Sequence, residues 1–179
     1  MNIVNHYEIP QLLTRRLLLR GFLPNDAELL QAILAQPGVL RYFPSSQPWS
    51  LAKVNRWLAE HWRHWEEHGF GWWALTDRQD GQLLGWCGLG VLDETGEVEI
   101  KYLLSPSYWG QGLATEAARQ ALGYGFGEAG LSLVIGLTHP ENIASQRVLE
   151  KIGLTFTNRA VYFNFDCFRY ARESMMSGD

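Results

Sequence analysis

Long apolar runs, a surplus of basic residues and clusters of cysteine are all missing from this chain of 179 residues. Arginines interrupt its leucine-rich run, and the first residues lack the apolar stretch of a signal peptide, so we expect a cytoplasmic protein with no membrane partner. The formal net charge is -4, with 15 Lys and Arg against 19 Asp and Glu. Without a basic stripe, the chain is not expected to bind nucleic acid.

Cysteine occurs only at Cys87 and Cys167, each within apolar, strand-like sequence. The pair fits no metal-ligand spacing, and neither thiol has the paired base that a covalent acyl-cysteine mechanism needs. We therefore expect reduced, buried thiols and no bound metal. Linkers rich in Pro, Gly and Ser are absent as well, so residues 1–179 are predicted to form a single domain.

Hydrophobic periodicity predicts a mixed α/β chain. Strands are expected at residues 13–20, 72–76, 83–89, 98–104 and 131–138, with an antiparallel pair over residues 156–172. Helices are expected at residues 26–36, 50–69, 112–126 and 142–151. The helix over 50–69 carries an aromatic and histidine stripe, hereafter the Trp/His stripe, formed by Trp57, His61, His64 and Trp65. Core packing explains this stripe simply, and a metal site is disfavoured because no further ligands are visible.

The most informative segment joins a predicted strand to a predicted helix through two glycines, Gly110 and Gly112. Glycines leave backbone amides free to point at phosphate oxygens, and the helix N-terminus adds its positive dipole end. The sequence therefore predicts a site for a phosphorylated cofactor. Two alternatives stay open: a purely structural tight turn, and a dinucleotide site, for which Thr115 stands where a third glycine is usual.

Four segments, at residues 14–20, 98–117, 139–153 and 166–171, resemble in order and spacing the GNAT superfamily of acyl-CoA-dependent N-acetyltransferases. Within it they look like the RimJ/RimL N-terminal acetyltransferases of ribosomal proteins. The resemblance implies the GNAT fold, an α/β (α+β) architecture with about four helices around a mixed central sheet of about six to seven strands. It further implies that the sheet is splayed between its fourth and fifth strands, 98–104 and 131–138, and that acetyl-CoA is the acyl donor.

The same resemblance assigns residues to cofactor binding. Coenzyme A is expected to contact Leu103, Leu104, Gln111, Gly112, Leu113, Ala114, Thr115, Asn142 and Ser145. Trp109 departs from the polar residue that opens the family's glycine motif, which puts the role of that position in doubt. For Asn142, a plain helix cap is an equally good use of the side chain.

Acyl transfer to an amine needs a base, a donor for the oxyanion and a proton for the departing thiolate. Similarity to the superfamily implies Glu99 as the base, directly or through water, with a structural acid as the alternative. It implies the amide of Leu103 or Leu104 as the oxyanion donor. Ser145 would serve the thiolate, because Leu149 stands where many members carry a tyrosine; a hydroxyl bonded within its own helix is the alternative.

The function implied is an N-acetyltransferase that moves an acetyl group to a primary amine by direct transfer in a ternary complex, as a monomer or homodimer. A protein N-terminus and a small-molecule amine are equally open as acceptors. In this fold the Trp/His stripe would border the acceptor groove and bind substrate, unless it only packs the core. The runner-up function is a non-catalytic acyl-CoA-binding sensor module.

Overall fold

The computed structural model describes residues 8–175, which form eight strands and four α-helices. In chain order these are β1 (Leu12–Leu13), β2 (Leu17–Arg20), α1 (Asp26–Leu34), α2 (Leu51–His68), β3 (Trp72–Asp77), β4 (Leu83–Val91), β5 (Val98–Leu104), α3 (Leu113–Gly127), β6 (Leu133–Thr138), α4 (Ile143–Lys151), β7 (Thr155–Tyr162) and β8 (Phe165–Glu173). A short 3₁₀ helix, Pro106–Tyr108, follows β5. None of the helices described is long and apolar enough to cross a lipid bilayer.

The strands form one sheet in the order β1-β2-β3-β4-β5-β6-β8-β7. All neighbours are antiparallel except β5 and β6. The predicted mixed sheet is confirmed, and the strand count is slightly higher than expected. One reason lies at residues 13–20, which form a hairpin instead of one strand because the Thr14 hydroxyl accepts the Leu17 amide at 2.9 Å and the Thr14 amide donates to the Leu17 carbonyl at 2.9 Å.

Helix α2 begins and ends where its sequence signals indicate. The Ser50 hydroxyl accepts the Lys53 amide at 3.2 Å, and Gly69 ends the helix in the left-handed conformation, with φ of 73°. The buried face of α2 packs on β3 and β4, where Gly90 has a steric purpose. A Cβ at Gly90 would lie 2.0 Å from the Trp72 ring, so only glycine lets that indole cross β4.

Two layers cover the sheet. Helices α3 and α4 pack one face over a core that includes Leu89, Ile100 and Leu104. Helices α1 and α2 pack the other face, over a core that includes Trp86 and Leu103. Successive residues of β5 therefore alternate between the two layers, as a strand's side-chain period of two requires.

The sheet opens between β5 and β6. Their register contains one residue pair, Glu99 with Ile135, and beyond it the two strands separate. The predicted splay between residues 98–104 and 131–138 is therefore confirmed. Since parallel strands normally continue their hydrogen bonds along the shared length, the separated ends leave backbone groups available to a ligand.

Candidate active site

Two cavities meet at the gap between β5 and β6. The larger cavity, of about 570 Å³, lies against the start of α3 and the side of α4. The smaller cavity, of about 200 Å³, lies against β5, β6 and the β7–β8 hairpin. Residues common to both linings mark their junction: Tyr42, Phe43, Tyr102, Asn142 and Ser145. A ligand that fills the larger cavity thus reaches a second compartment through the open sheet.

The glycine loop forms one end of the larger cavity. Gly110 and Gly112 both adopt left-handed φ values, of 73° and 78°, which turn the chain tightly into α3. Nothing lies within 4 Å of where a Cβ on Gly110 would project, so no side chain fills the turn there. Leu113, Ala114 and Thr115 follow on the cavity wall at the helix N-terminus. These amides fit a phosphate group, as the sequence predicts.

Gln111 differs from its loop neighbours because it does not line the cavity. The side-chain amide of Gln111 donates to the Ser107 carbonyl at 3.0 Å, and the backbone carbonyl of Gln111 accepts from Arg16 at 2.9 Å. Arg16 also pairs with Glu116 at 2.8 Å. Although burial acts to raise the pKa of Glu116, hydrogen bonds from Thr14 and Arg16 hold it below its ordinary value. This ionised pair ties the loop to the β1–β2 hairpin.

Three cationic side chains line the larger cavity: Arg41, Arg147 and Lys151. All three are exposed, and none forms an ion pair with a carboxylate of the described residues. Their charge is therefore available to an anionic ligand. Together with the α3 amides they suit a ligand that carries several phosphates.

The strand β5 turns alternate backbone groups toward the gap. The Ser105 amide donates to the Leu84 carbonyl at 2.8 Å, so the backbone groups of Leu103 face β4 as well. Those of Tyr102 and Leu104 consequently face the gap. The Leu104 carbonyl accepts the Trp109 indole at 2.7 Å, which gives Trp109 a structural use at its unusual position. Of the two amides predicted to serve an oxyanion, the Leu104 amide is the one directed into the gap.

Glu99 lies at the point where β5 and β6 separate, and its carboxylate lines the smaller cavity. The residue is 3% exposed. Lys101 Nζ lies 2.8 Å from Glu99 Oε2 and forms an ion pair with it. Burial raises the pKa of Glu99, while Lys101 and the Leu137 amide oppose the rise. A buried carboxylate with a raised pKa that lines a cavity is suited to accept a proton.

Tyr102 points to the opposite face of the sheet, toward α4. Its hydroxyl lies 2.9 Å from Ser145 Oγ and 3.1 Å from the Ser145 carbonyl. Burial raises the pKa of Tyr102, so the phenol keeps its proton. Asn142 caps α4 by accepting the Ser145 amide at 3.2 Å while it lines both cavities. The sequence reasoning missed Tyr102, although the alternation along β5 places it opposite Glu99.

The Trp/His stripe lines neither cavity. Trp65 and His61 are fully buried. Each has one ring nitrogen in contact with the Trp72 carbonyl on β3: Trp65 Nε1 at 3.1 Å and His61 Nε2 at 2.6 Å. Trp57 stacks on His61 with ring centroids 5.1 Å apart. Burial lowers the pKa of His61 to about 3. These contacts are those of core packing between α2 and the sheet.

His64 is held by the backbone on both sides. The Val91 amide donates to His64 Nε2 at 3.1 Å, so Nδ1 carries the proton and donates to the Phe70 carbonyl at 2.8 Å. Burial lowers its pKa as well. Within residues 8–175 there is no group of three or more His, Cys, Asp or Glu side chains that could hold a metal ion. Cys87 and Cys167 are free and buried.

Comparisons with known proteins agree with this geometry. The chain matches the Acetyltransferase (GNAT) domain family over residues 16–155. It is 31% identical over 167 residues to YkkB of Bacillus subtilis (strain 168), which covers 92% of this chain and 96% of that protein. It is also 31% identical over 166 residues to the FsC-acetyl coenzyme A-N(2)-transacetylase of Aspergillus fumigatus, which covers 87% of this chain and 68% of that protein.

The fold also matches that of RimL, a ribosomal alpha-N-protein acetyltransferase solved in complex with coenzyme A. The TM-score is 0.77 at 16% identity, over 92% of this chain and 97% of that one. At this identity the likeness concerns the fold. This chain therefore belongs to the GNAT acetyltransferase family, with a structural neighbour in its RimJ/RimL-like branch.

Proposed function

We propose that this protein is an acetyl-CoA-dependent N-acetyltransferase that acetylates a primary amine by direct transfer in a ternary complex. The observation that carries the proposal is the meeting of two cavities at the open edge of β5. One cavity has the amides and cations that suit a phosphorylated donor, and the other contains a buried carboxylate. Both reactants can therefore meet without a covalent enzyme intermediate.

The larger cavity is the proposed coenzyme A site. The amides from Gly112 to Thr115 would hold its diphosphate, and Arg147 and Lys151, which line the same cavity, would meet further phosphate charge. Backbone groups of Tyr102 and Leu104 would pair with the amide-containing arm as a strand edge does. When bound, acetyl-CoA supplies the activated acetyl group.

Glu99 is the proposed base. The acceptor amine has to lose a proton as its nitrogen bonds to the acetyl carbonyl carbon, and Glu99 lines the compartment from which that amine would come. A raised pKa makes the carboxylate a better proton acceptor than an exposed glutamate. Lys101 keeps enough of it ionised to begin the reaction.

Leu104, Ser145 and Tyr102 are proposed to serve the other half of the reaction. The Leu104 amide would donate to the developing oxyanion. Ser145 Oγ, at the junction, would donate a hydrogen bond to the sulfur as the carbon–sulfur bond breaks, so that the thiolate leaves stabilised and takes its proton from water, and Tyr102, 2.9 Å away, would hold the Ser145 hydroxyl in place. In this assignment Tyr102 acts through Ser145 and is a positioning residue.

A sensor module that binds acyl-CoA without turnover would not need a buried carboxylate with a raised pKa beside the binding gap. We therefore favour the enzyme. We also propose that residues 1–179 act as one domain in the cytoplasm, where two buried free thiols stay reduced. A membrane or nucleic-acid partner and a metal play no part in the proposal, which allows a monomer or a homodimer.

The decisive test combines titration and turnover. Isothermal titration should show coenzyme A binding with about 1:1 stoichiometry, and acetyl-CoA with a panel of primary amines should yield free thiol and the N-acetyl product by mass spectrometry. Absence of binding heat at millimolar coenzyme A would overturn the donor assignment. Binding without acetylation of any amine would support the sensor instead.

A further inference from the structure

We propose that the acceptor is a singly charged amine attached to an aromatic or apolar body, and not a polyamine or an aminoglycoside. This inference rests on the proposed function and specifies its substrate class. The smaller cavity, which would receive the acceptor, carries its argument. Both its walls and its charges are unsuited to a ligand with several ammonium groups.

Aromatic side chains make up much of the wall. They come from three separate parts of the chain: Tyr42 and Phe43 after α1, Trp86 on β4, and Tyr162, Phe163 and Phe165 around the β7–β8 turn. His139 stacks on Tyr42 with centroids 5.3 Å apart. Such a wall gains free energy by covering an apolar surface, of which a hydrated polycation offers little.

Among residues 8–175, one carboxylate lines the cavity, that of Glu99, and Lys101 lies beside it on the same lining. Neighbouring acids are engaged elsewhere: Glu97 accepts from Tyr162 and Arg169, and Asp166 pairs with Arg159. One ammonium group can therefore meet Glu99, whereas a second would lie near Lys101 without a counter-charge. Like charges at this range in a partly buried site disfavour binding.

The β7–β8 turn supplies an independent observation. Phe163 and Asn164 adopt left-handed φ values of 51° and 59° in a two-residue hairpin turn, a conformation that a bulky phenylalanine rarely takes. The turn is held by the Phe163 amide, which donates to Glu94 at 2.9 Å. Phe163 nevertheless remains 48% exposed at the cavity. A strained backbone that presents an uncovered aromatic ring to a cavity is typical of a ligand contact.

The test compares four amines as acceptors: phenethylamine, ethanolamine, spermidine and kanamycin. We expect kcat/KM for phenethylamine to exceed that of each of the others by about tenfold or more, the discrimination typical of an apolar pocket. Tripeptides that begin with Phe or with Ser distinguish a protein N-terminus from a free amine as the source of the same chemistry. Preference for spermidine or kanamycin would overturn the inference and leave the proposed acetyltransferase intact, whereas failure of every amine would overturn both.

A variant pair locates the preference. Phe163→Asn replaces the ring by a residue that tolerates the left-handed turn, so the fold is expected to survive. KM for phenethylamine should rise about tenfold while kcat changes less than about threefold. The control is Phe156→Asn, which removes a ring that is 52% exposed on β7 and outside both cavities. Equal effects of the two substitutions, at matched melting temperatures, would contradict the role of Phe163.

Discussion

At the scale of single residues, the proposed base, Glu99, and the proposed positioning residue, Tyr102, lie three positions apart on one strand and face opposite sides of the sheet. Glu99 faces the smaller cavity, and the Tyr102 phenol reaches Ser145 on α4. Because β5 separates from β6 at this point, the reacting groups can meet in the gap between the two. In the proposed reaction, the amine therefore loses its proton on one side of the sheet while Ser145 stabilises the thiolate on the other.

Replacement of Glu99 by Gln tests the base. We expect kcat to fall by about 10²–10³-fold, the usual worth of a general base, with coenzyme A affinity within about twofold of wild type. In wild type, the slope of log kcat/KM against pH should be about one above the raised pKa of Glu99 and about two below it. In the variant, the slope should stay near one across both regions. The matched control is Glu128→Gln, which changes an exposed residue at the C-terminal end of α3. The same slopes in wild type and in the variant would exclude Glu99 as the base.

Tyr102→Phe tests the positioning residue. Loss of the hydroxyl leaves Ser145 Oγ without its 2.9 Å partner, so kcat should fall by about tenfold while KM for acetyl-CoA stays within about twofold. Tyr124→Phe is the control, because it removes a phenol that donates to the Gly69 carbonyl at 2.8 Å, away from both cavities. Equal losses in the two variants would show a general packing effect and contradict the positioning role of Tyr102.

At the scale of elements, the proposed donor site is made mainly by backbone. The glycine loop and the first turn of α3 present amides, while β5 presents its unpaired edge. Glu116 and Arg16 fix the loop against the β1–β2 hairpin. Binding of a ligand by backbone amides depends on dihedral angles more than on side-chain identity. A single methyl group added to a loop glycine therefore tests whether the loop binds coenzyme A.

Gly112→Ala places a β-carbon at φ of 78°, and Gly81→Ala does the same at φ of 75° in the β3–β4 turn. Both should lower the free energy of unfolding by about 1 kcal/mol, the cost of the left-handed region for alanine. Only Gly112→Ala should also weaken coenzyme A, by about five- to tenfold in titration, because relaxation of that strain moves the α3 amides. Equal coenzyme A affinity in both variants would contradict the loop assignment.

At the scale of the whole molecule, the aromatic packing of α2 links stability to pH. His61 is 1% exposed, and burial lowers its pKa from 6.5 to about 3. The unfolded chain therefore binds a proton below pH 6.5 that the folded protein excludes. The free energy of unfolding therefore carries no loss from His61 above pH 6.5. It falls by about 1.4 kcal/mol per pH unit as the pH decreases from 6.5 toward 3.

His61→Phe should flatten this dependence. Between pH 7.5 and 5.0, urea unfolding of wild type should lose about 2 kcal/mol through His61, with an added loss through His64. The variant should keep only the loss of unfolding free energy that comes from His64. The Trp72 carbonyl stays paired in the variant, because Trp65 still donates to it. Exposed His68→Gln should behave as wild type. A variant as acid-sensitive as wild type would contradict the linkage.

Sequence predicted well those features that depend on a few neighbouring residues. Ser50 and Gly69 mark α2 because cap geometry is local, and Gly110 and Gly112 mark the loop because positive φ favours glycine. Residues 13–20 were predicted wrongly as one strand, since an apolar run conceals the turn made by the Thr14 hydroxyl. The roles of Glu99 and Ser145 came through resemblance and stay predictions.

Other features lay beyond any local pattern. Tyr42 and Phe43 reach the cavity junction from a loop without periodicity, and Phe163 reaches the smaller cavity through a hairpin formed by the last strands. The Trp/His stripe has the same amphipathic pattern whether it faces a groove or a core, and the packing of α2 on β3 and β4 decides the matter.

Residue order alone therefore determined the helix caps, the glycine turn, the alternation along β5 and the absence of a long apolar span, because each depends on contacts within a few residues. Tertiary structure decided where β5 and β6 separate, which backbone amide faces that gap, and which aromatic rings line the smaller cavity. Those outcomes depend on strands and loops distant in sequence, whose packing no short segment encodes.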